Sequence, residues 1–108
     1  MKTCEIKEAF GIDALQFTER PDPPLQQGQV RVRVRAVSLN YRDLMTVKHG
    51  GGARTVRLPL IPCSDGAGEV VEVGPGVTRV KVGDRVAGTF FQSWLAGSGI
   101  QVMLASKR

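Results

Sequence analysis

Histidine and cysteine are scarce in this chain of 108 residues, which has one histidine and two cysteines. Cys4, His49 and Cys63 lie far apart in the sequence, so they form neither a disulfide framework nor the closely spaced ligand set of a typical zinc site. A metal site would have to combine these three side chains with carboxylates. We therefore expect no metal.

Long apolar runs are also missing. No stretch approaches the roughly 20 apolar residues of a membrane-spanning helix. Residues 1–8 mix charged and apolar side chains, unlike the core of a signal peptide. The length fits one domain, and 42% hydrophobic residues is typical of a folded one. We expect a cytoplasmic domain with no membrane partner.

Aromatic residues make up only 6% of the chain and are not interleaved with the basic ones. The net charge of +5 by itself suggests nucleic-acid binding. However, Arg31, Arg33 and Arg35 alternate with valines, which is typical of the solvent face of a half-buried strand. The chain also offers no aromatic platform on which bases could stack. We therefore expect no nucleic-acid partner.

Short strands separated by glycine turns dominate the pattern. One short helix is predicted at 40–47, capped by Ser38 or Asn40. Regularly spaced strands with glycine turns indicate a small barrel. Residues 98–108 could form one face of a further strand or a frayed tail. The predicted extended segments are 3–8, 15–19, 30–37, 58–62, 66–73, 79–82 and 85–91.

Three glycine-rich segments are candidates for phosphate-binding loops. Residues 66–68 and 74–76 give G-x-G without a third glycine, and neither leads into a predicted helix. Residues 50–52 lack the Lys-Ser/Thr of a phosphate loop. These glycines are interpreted as turn, close-packing and loop residues. No βαβ unit follows, so we expect no cofactor-binding domain within the chain.

Three blocks, at 34–44, 58–71 and 82–88, resemble the medium-chain dehydrogenase/reductase family in order and approximate spacing. The resemblance covers about residues 1–97 and leaves 98–108 as a tail. It implies a mainly β domain with one short helix, the partly open GroES-like β-barrel of alcohol dehydrogenases. In longer members this domain forms one wall of the active-site cleft. A following domain binds NAD(P)H, and the subunits form homo-oligomers.

The resemblance also bears on zinc. In the alcohol dehydrogenase branch, a Cys in the first block and a His-Glu pair in the second help to hold the catalytic zinc. Here Asn40 stands at the Cys position, and Ser64 and Asp65 stand at the His-Glu positions. Amide and hydroxyl groups are poor zinc ligands beside thiolate and imidazole. The chain therefore resembles the zinc-independent branch, which is similar to quinone oxidoreductases and enoyl reductases.

The same resemblance implies the site residues. Asn40, Tyr41 and Asp65 are the catalytic candidates, and Asn40, Tyr41 and Asp43 are the cofactor-binding candidates. Without a metal, hydrogen-bond donors must stabilise the oxygen that gains charge as hydride arrives. Asn40 could donate or accept, and Tyr41 could donate a hydrogen bond or a proton. Both aspartates are expected to orient neighbours. In the structural alternative, Asn40 only caps the helix and Tyr41 packs.

Two positions depart from the family pattern. The loop at 50–52 lacks the aromatic residue that related sequences often have there, so one substrate contact is lost. Cys63 stands where glycine is common, and it is interpreted as a small buried thiol, with a reactive thiol as the alternative.

The expected function is the N-terminal part of a zinc-independent NAD(P)H-dependent oxidoreductase. It would transfer hydride to a quinone, enone or related carbonyl compound and would be inactive as this chain alone. The alternative is a stand-alone GroES-like binding or co-chaperonin-like module. The long loop after the helix is polar and glycine-rich, whereas a co-chaperonin needs a mobile apolar loop.

Overall fold

The computed structural model describes residues 1–50 and 56–90. Five strands form two antiparallel sheets, β1-β2 and β3-β4-β5. Over these residues the sheets do not close, so the fold is the partly open, mainly β arrangement with one short helix that was predicted. The elements are β1 (Lys2–Ile6), β2 (Leu15–Glu19), β3 (Val30–Ser38), α1 (Tyr41–His49), β4 (Asp65–Val73) and β5 (Arg85–Ala87), with a 3-10 turn at Ile12–Ala14.

The segment at 58–62 joins the second edge of β1. Ile6 and Leu60 form an antiparallel bridge, each donating its N–H to the other's carbonyl at 2.9 Å. Ile6 is fully buried and forms the core together with Val47 of α1 and Val70 of β4. The N-terminal strand thus connects the two-stranded sheet to the chain segment that leads into β4.

The pairing of β3 with β4 depends on close backbone approach at Gly68. A Cβ atom there would lie 2.1 Å from the carbonyl oxygen of Arg33, which no packing adjustment of a side chain relieves. Gly74 similarly faces the carbonyl oxygen of Gln26, at 2.3 Å from an added Cβ. The interpretation of these glycines as close-packing residues is confirmed.

The valine face of β3 is less buried than its alternation predicted. Val30 and Val32 are partly covered, but Val34 is 58% exposed and Val37 is 52% exposed. Alternation identified the strand correctly. Its second half nevertheless presents apolar side chains to solvent in the part of the chain that the structure describes.

The predicted strand at 79–82 is wrong. Asp84 closes a turn there, because its carboxylate accepts the N–H of Lys81 at 2.9 Å. Val70 of β4 bonds to the backbone of the residues that follow this segment: its N–H reaches Asp84 at 2.9 Å and its carbonyl accepts from Gly83 at 2.8 Å. Residues 79–82 therefore make no ladder of their own.

Other boundaries also move, and the first strand, predicted at 3–8, ends at Ile6. The strand predicted at 85–91 ends at Ala87, because Gly88 N–H already bonds to Gly66 near the first residue of β4, and the partner strand ends there. The helix extends to His49 and ends at Gly50, whose left-handed φ of 67° suits glycine. The tail predicted for 98–108 and the loop glycines Gly51 and Gly52 lie outside the described residues. Within the described part of the chain, no helix is long and apolar enough to cross a membrane.

Candidate functional site

The first turn of α1 is fixed by Asn40 and Asp43. Asn40 has an extended backbone and is the N-cap residue, and its N–H donates to the Asp43 carboxylate at 2.8 Å. The N–H of Asp43 in turn donates to the Asn40 carbonyl at 2.9 Å. Asp43 is only 7% exposed. The structure thus gives Asp43 a capping function, with its carboxylate held at the helix start.

The side chain of Asn40 points to β4. Its Nδ2 donates to Oδ2 of Asp65 at 2.5 Å, across 25 residues of sequence. Asp65 is the first residue of β4 and pairs in register with Ser38, the last residue of β3. The ends of β3, α1 and β4 therefore meet at this contact, so two of the predicted site residues are brought together by the sheet register.

Tyr41 lies at the same end of the fold but projects outward. Its side chain is 77% exposed, and the preceding Leu39 is 80% exposed. Among the described residues, Tyr41 is therefore not packed into the core, unlike in the structural alternative. A phenol beside an exposed leucine, next to a fixed amide, leaves an open surface with both apolar and hydrogen-bonding character.

Two features of this end were missed by sequence reasoning. Leu39 was not predicted as a site residue, although its position between the strand end at Ser38 and the helix cap at Asn40 could have indicated one. Arg42 lies over the ring of Phe90, with its guanidinium carbon 5.1 Å from the ring centre. Nothing in the local pattern of either residue indicates this contact, because it depends on the tertiary arrangement.

The side chains at the zinc-ligand positions do not fit zinc. The Asn40 amide donates an N–H to Asp65, and an amide nitrogen offers no lone pair to a metal. The Ser64 hydroxyl oxygen is buried and has no hydrogen-bond partner among the described residues. The described ranges contain no group of three or more His, Cys, Asp and Glu side chains able to hold a metal ion. The donors present at these positions therefore suit hydrogen bonding better than zinc ligation.

Cys63 adopts a backbone conformation that explains why glycine suits its position. Its φ of 79° lies in the left-handed region. The expectation of a buried thiol is wrong, because the side chain is exposed. The pKa of the thiol is nevertheless raised from its ordinary value. Desolvation by neighbouring atoms is the main cause, followed by the Asp43 carboxylate, which disfavours the thiolate.

A groove lies elsewhere on the fold. It has a volume of about 940 Å³ and runs between the chain start, residues 22–26 and β3. Asn40, Tyr41 and Asp65 do not line it. The groove is thus separate from the converging ends of β3, α1 and β4.

The open, mainly β fold with one short helix matches the partly open architecture of a GroES-like domain. The family model for the alcohol dehydrogenase GroES-like domain matches residues 26–102. The chain belongs to this family.

Relatives include both alcohol dehydrogenases and quinone oxidoreductases. An alcohol dehydrogenase of Geobacillus stearothermophilus is 46% identical over 72 residues, which is 67% of this chain and 21% of that protein. A zinc-type alcohol dehydrogenase-like protein of Schizosaccharomyces pombe is 41% identical over 92 residues, covering 84% and 26%. The crystal structure of Escherichia coli quinone oxidoreductase complexed with NADPH superposes with a TM-score of 0.71 at 26% identity, covering 81% and 26%. The chain thus spans between 21% and 26% of the length of these relatives.

Proposed function

We propose that these 108 residues are the N-terminal part of a zinc-independent NAD(P)H-dependent oxidoreductase that transfers hydride to a quinone, enone or related carbonyl compound. The observation that carries the proposal is the hydrogen bond from the Asn40 amide to Asp65, at the position where a zinc-dependent enzyme needs metal ligands. The likeness to a quinone oxidoreductase complexed with NADPH supports the nicotinamide cofactor.

Asn40 supplies a hydrogen bond in place of the metal ion that would otherwise polarise the substrate carbonyl. One N–H of its amide is committed to Asp65. The other N–H keeps a defined direction, because the amide is planar. When hydride reaches the substrate, charge grows on the substrate oxygen, and a donor already held in place stabilises it at no reorganisation cost. Asp65 is thus a positioning residue.

Tyr41 is the second donor in this proposal. Its exposed phenol lies one residue along the chain from Asn40, so both groups border the same surface. A phenol can donate a hydrogen bond to the oxygen or give it a proton. Leu39 would contact the apolar part of a planar substrate.

NAD(P)H would supply the hydride, and this chain would contact it only near the reacting ring. Asn40 and Tyr41 are the contacts proposed here. Asp43 was also predicted to bind the cofactor. Its carboxylate accepts the Asn40 N–H at the helix cap, so we propose that it contributes to cofactor binding indirectly, by holding Asn40. Segments beyond these 108 residues would bind the rest of the cofactor. We also propose a cytoplasmic homo-oligomer, in keeping with the resemblance.

A fusion protein tests this function. The chain would replace the corresponding N-terminal domain of Escherichia coli quinone oxidoreductase, and NADPH-dependent reduction of a quinone would be measured. We expect turnover, and we expect Asn40→Ala to lower kcat/KM by about 10²–10³-fold, the usual cost of removing one such donor. Gln16→Ala removes an exposed amide from β2 and is the matched control. Wild-type turnover by the Asn40→Ala fusion would contradict the proposal.

A further inference from the structure

One edge of β3 faces away from its partner strand. In the three-stranded sheet β4 pairs with only one side of β3. The N–H and the carbonyl of Val70 on β4 both bond on the β5 side, to Asp84 and Gly83. Val32, which is opposite Val70 in the register, therefore forms a non-hydrogen-bonded pair with it. The backbone groups of Val32 consequently point away from β4, to the other edge.

The same is true of Val34. A Cβ atom at Gly68 would lie 2.1 Å from the Arg33 carbonyl oxygen, so the backbone groups of Arg33 point towards β4. Backbone groups alternate in direction along a strand, so those of Val32 and Val34 share the opposite edge. This edge therefore offers two N–H donors and two carbonyl acceptors, with the spacing that a further antiparallel strand needs.

The groove of about 940 Å³ runs along this edge. The consecutive residues 30–34 line it, and side chains alternate between the two faces of a strand, so the edge of β3 itself forms the wall. The connector at 22–26 forms another wall, and its Pro23 and Pro24 have no N–H to donate. Across residues 1–50 and 56–90, no backbone hydrogen bond joins this connector to β3. The connector therefore lines the edge without pairing with it.

The pairing of β3 with β4 shows which side chains suit a neighbour of β3. The arginines of β3 project from one face of the sheet and its valines from the other. On the arginine face Arg31 pairs with Glu72 of β4, and Arg35 lies 3.7 Å from Glu69. On the valine face Val32 is opposite Val70. A strand that alternates acidic and apolar residues thus complements both faces of β3.

The charge of the groove favours the same kind of strand. Lys2, Arg31 and Arg33 contribute three cationic side chains to its lining, whereas Asp22 is the single carboxylate among the described residues that line it. Arg33 forms no ion pair with any other described residue. An acidic side chain on an added strand would therefore find a cation that β4 does not already neutralise.

We propose that the free edge of β3 binds an extended segment of a partner protein in which acidic and apolar residues alternate. The segment adds a fourth strand to the sheet, antiparallel to β3, and exchanges backbone hydrogen bonds with Val32 and Val34. Its acidic side chains meet Arg33, and its apolar side chains lie on the valine face. A second copy of β3 fits less well, because arginines would lie opposite arginines. The inference does not depend on the proposed catalytic function.

Amide hydrogen exchange on the whole isotope-labelled chain tests the proposal, with a short blocked peptide of alternating glutamate and valine as the probe. At saturation we expect exchange of the Val32 and Val34 amides to slow by at least about tenfold, because their N–H groups become bonded. The Arg33 amide points to β4 and should change little. A peptide that fails to bind at millimolar concentration, or that binds without slowing Val32 and Val34, would overturn the proposal.

Two methylated peptides test the strand geometry. Residues opposite Val32 and Val34 share their face, so the valines of the peptide should direct their N–H groups to β3. Methylating the valine nitrogens should abolish binding, whereas methylating the glutamate nitrogens should leave it. Equal binding of both methylated peptides would rule out an added strand.

Substitutions in the chain test the charge. Arg33→Gln should weaken binding by up to about fivefold, the upper limit for an exposed ion pair. Arg79→Gln removes an exposed cation outside the groove and should bind the peptide as the parent does. Equal weakening by both variants would count against a specific contact.

The chain without peptide distinguishes the other occupants. In dilute solution the Val32 and Val34 amides should exchange rapidly. Slow exchange there would mean that the chain covers its own edge. Slow exchange that develops only as the protein concentration rises would mean that a second copy is the occupant. Either result would overturn the assignment to a partner protein.

Discussion

The Asn40 amide donates to the Asp65 carboxylate at 2.5 Å and so ties the start of α1 to the start of β4. The same residue caps the helix through its backbone. The cap fixes the backbone position of Asn40, and the hydrogen bond to Asp65 fixes the direction of its side-chain amide. The structural and functional interpretations of Asn40 are therefore compatible, because different groups of the residue carry them.

A double-mutant cycle measures how strongly these two side chains interact. Asn40→Ala, Asp65→Ala and the double variant would be unfolded in urea. We expect a coupling free energy of about 2 kcal/mol, since a hydrogen bond to a charged group contributes about that much. The same cycle between Gln16 and Asp65 is the control and should show no coupling. Strictly additive effects for Asn40 and Asp65 would argue against the contact.

Gly68 should not tolerate a methyl group. Gly68→Ala places Cβ 2.1 Å from the Arg33 carbonyl oxygen, and the two paired strands must separate to relieve it. We expect a loss of about 3 kcal/mol in the free energy of unfolding, at the upper end for overpacking. Gly88→Ala is the matched control, because nothing lies within 4 Å of its added Cβ. Similar melting temperatures for both variants would contradict the β3–β4 register.

The left-handed backbone at Cys63 should make glycine the more stable residue there. At φ 79° a Cβ atom costs about 1–2 kcal/mol, partly offset by the greater freedom of glycine in the unfolded chain. We expect Cys63→Gly to be more stable than Cys63→Ala by about 1 kcal/mol. Comparing these two variants removes the effect of losing the sulfur. Greater stability of the alanine variant would show that the backbone adopts another conformation.

Alkylation of Cys63 should respond to the charge on Asp43. The pKa of this thiol is raised by desolvation and then by Asp43, so less thiolate is present at a given pH and the rate profile shifts to higher pH. Asp43→Asn removes the repulsion and should move the profile back to lower pH. The rates would be measured with iodoacetamide in a Cys4→Ser background.

Asp65→Asn provides the charge control for that experiment. It removes a carboxylate from the same end of the fold that is not among the causes of the raised pKa. Its rate profile should match that of the parent. An equal shift in both variants would mean that net charge, rather than the proximity of Asp43, sets the reactivity.

Local signals predicted most of the fold. Valine alternation located β3, a valine-rich run bounded by glycines located β4, and the candidate N-caps Ser38 and Asn40 located the start of α1. The false strand at 79–82 has the same kind of alternation. There a single carboxylate, Asp84, captures the Lys81 N–H and closes a turn, and the turn outcompetes strand pairing.

The burial of side chains and the sign of the backbone φ angle were harder to predict. Alternation shows which side of β3 is apolar, but only tertiary packing decides whether Val34 and Val37 are covered. The left-handed φ of Cys63 has no signal in a single sequence apart from the frequency of glycine there in the family. For the candidate site, the types of residue were readable from the sequence. The direction of the Asn40 amide was not, because it depends on Asp65, which is 25 residues away.

Metal dependence of the fusion protein is the sharpest test of a zinc-independent reaction. NADPH-dependent quinone reduction by the fusion of this chain to the remainder of Escherichia coli quinone oxidoreductase would be assayed before and after exhaustive chelation, and again after zinc is added. We expect the same turnover in all three assays, and a fall in kcat/KM of about 10²–10³-fold when Asn40 is replaced by alanine. Activity that disappears on chelation and returns with zinc would contradict it.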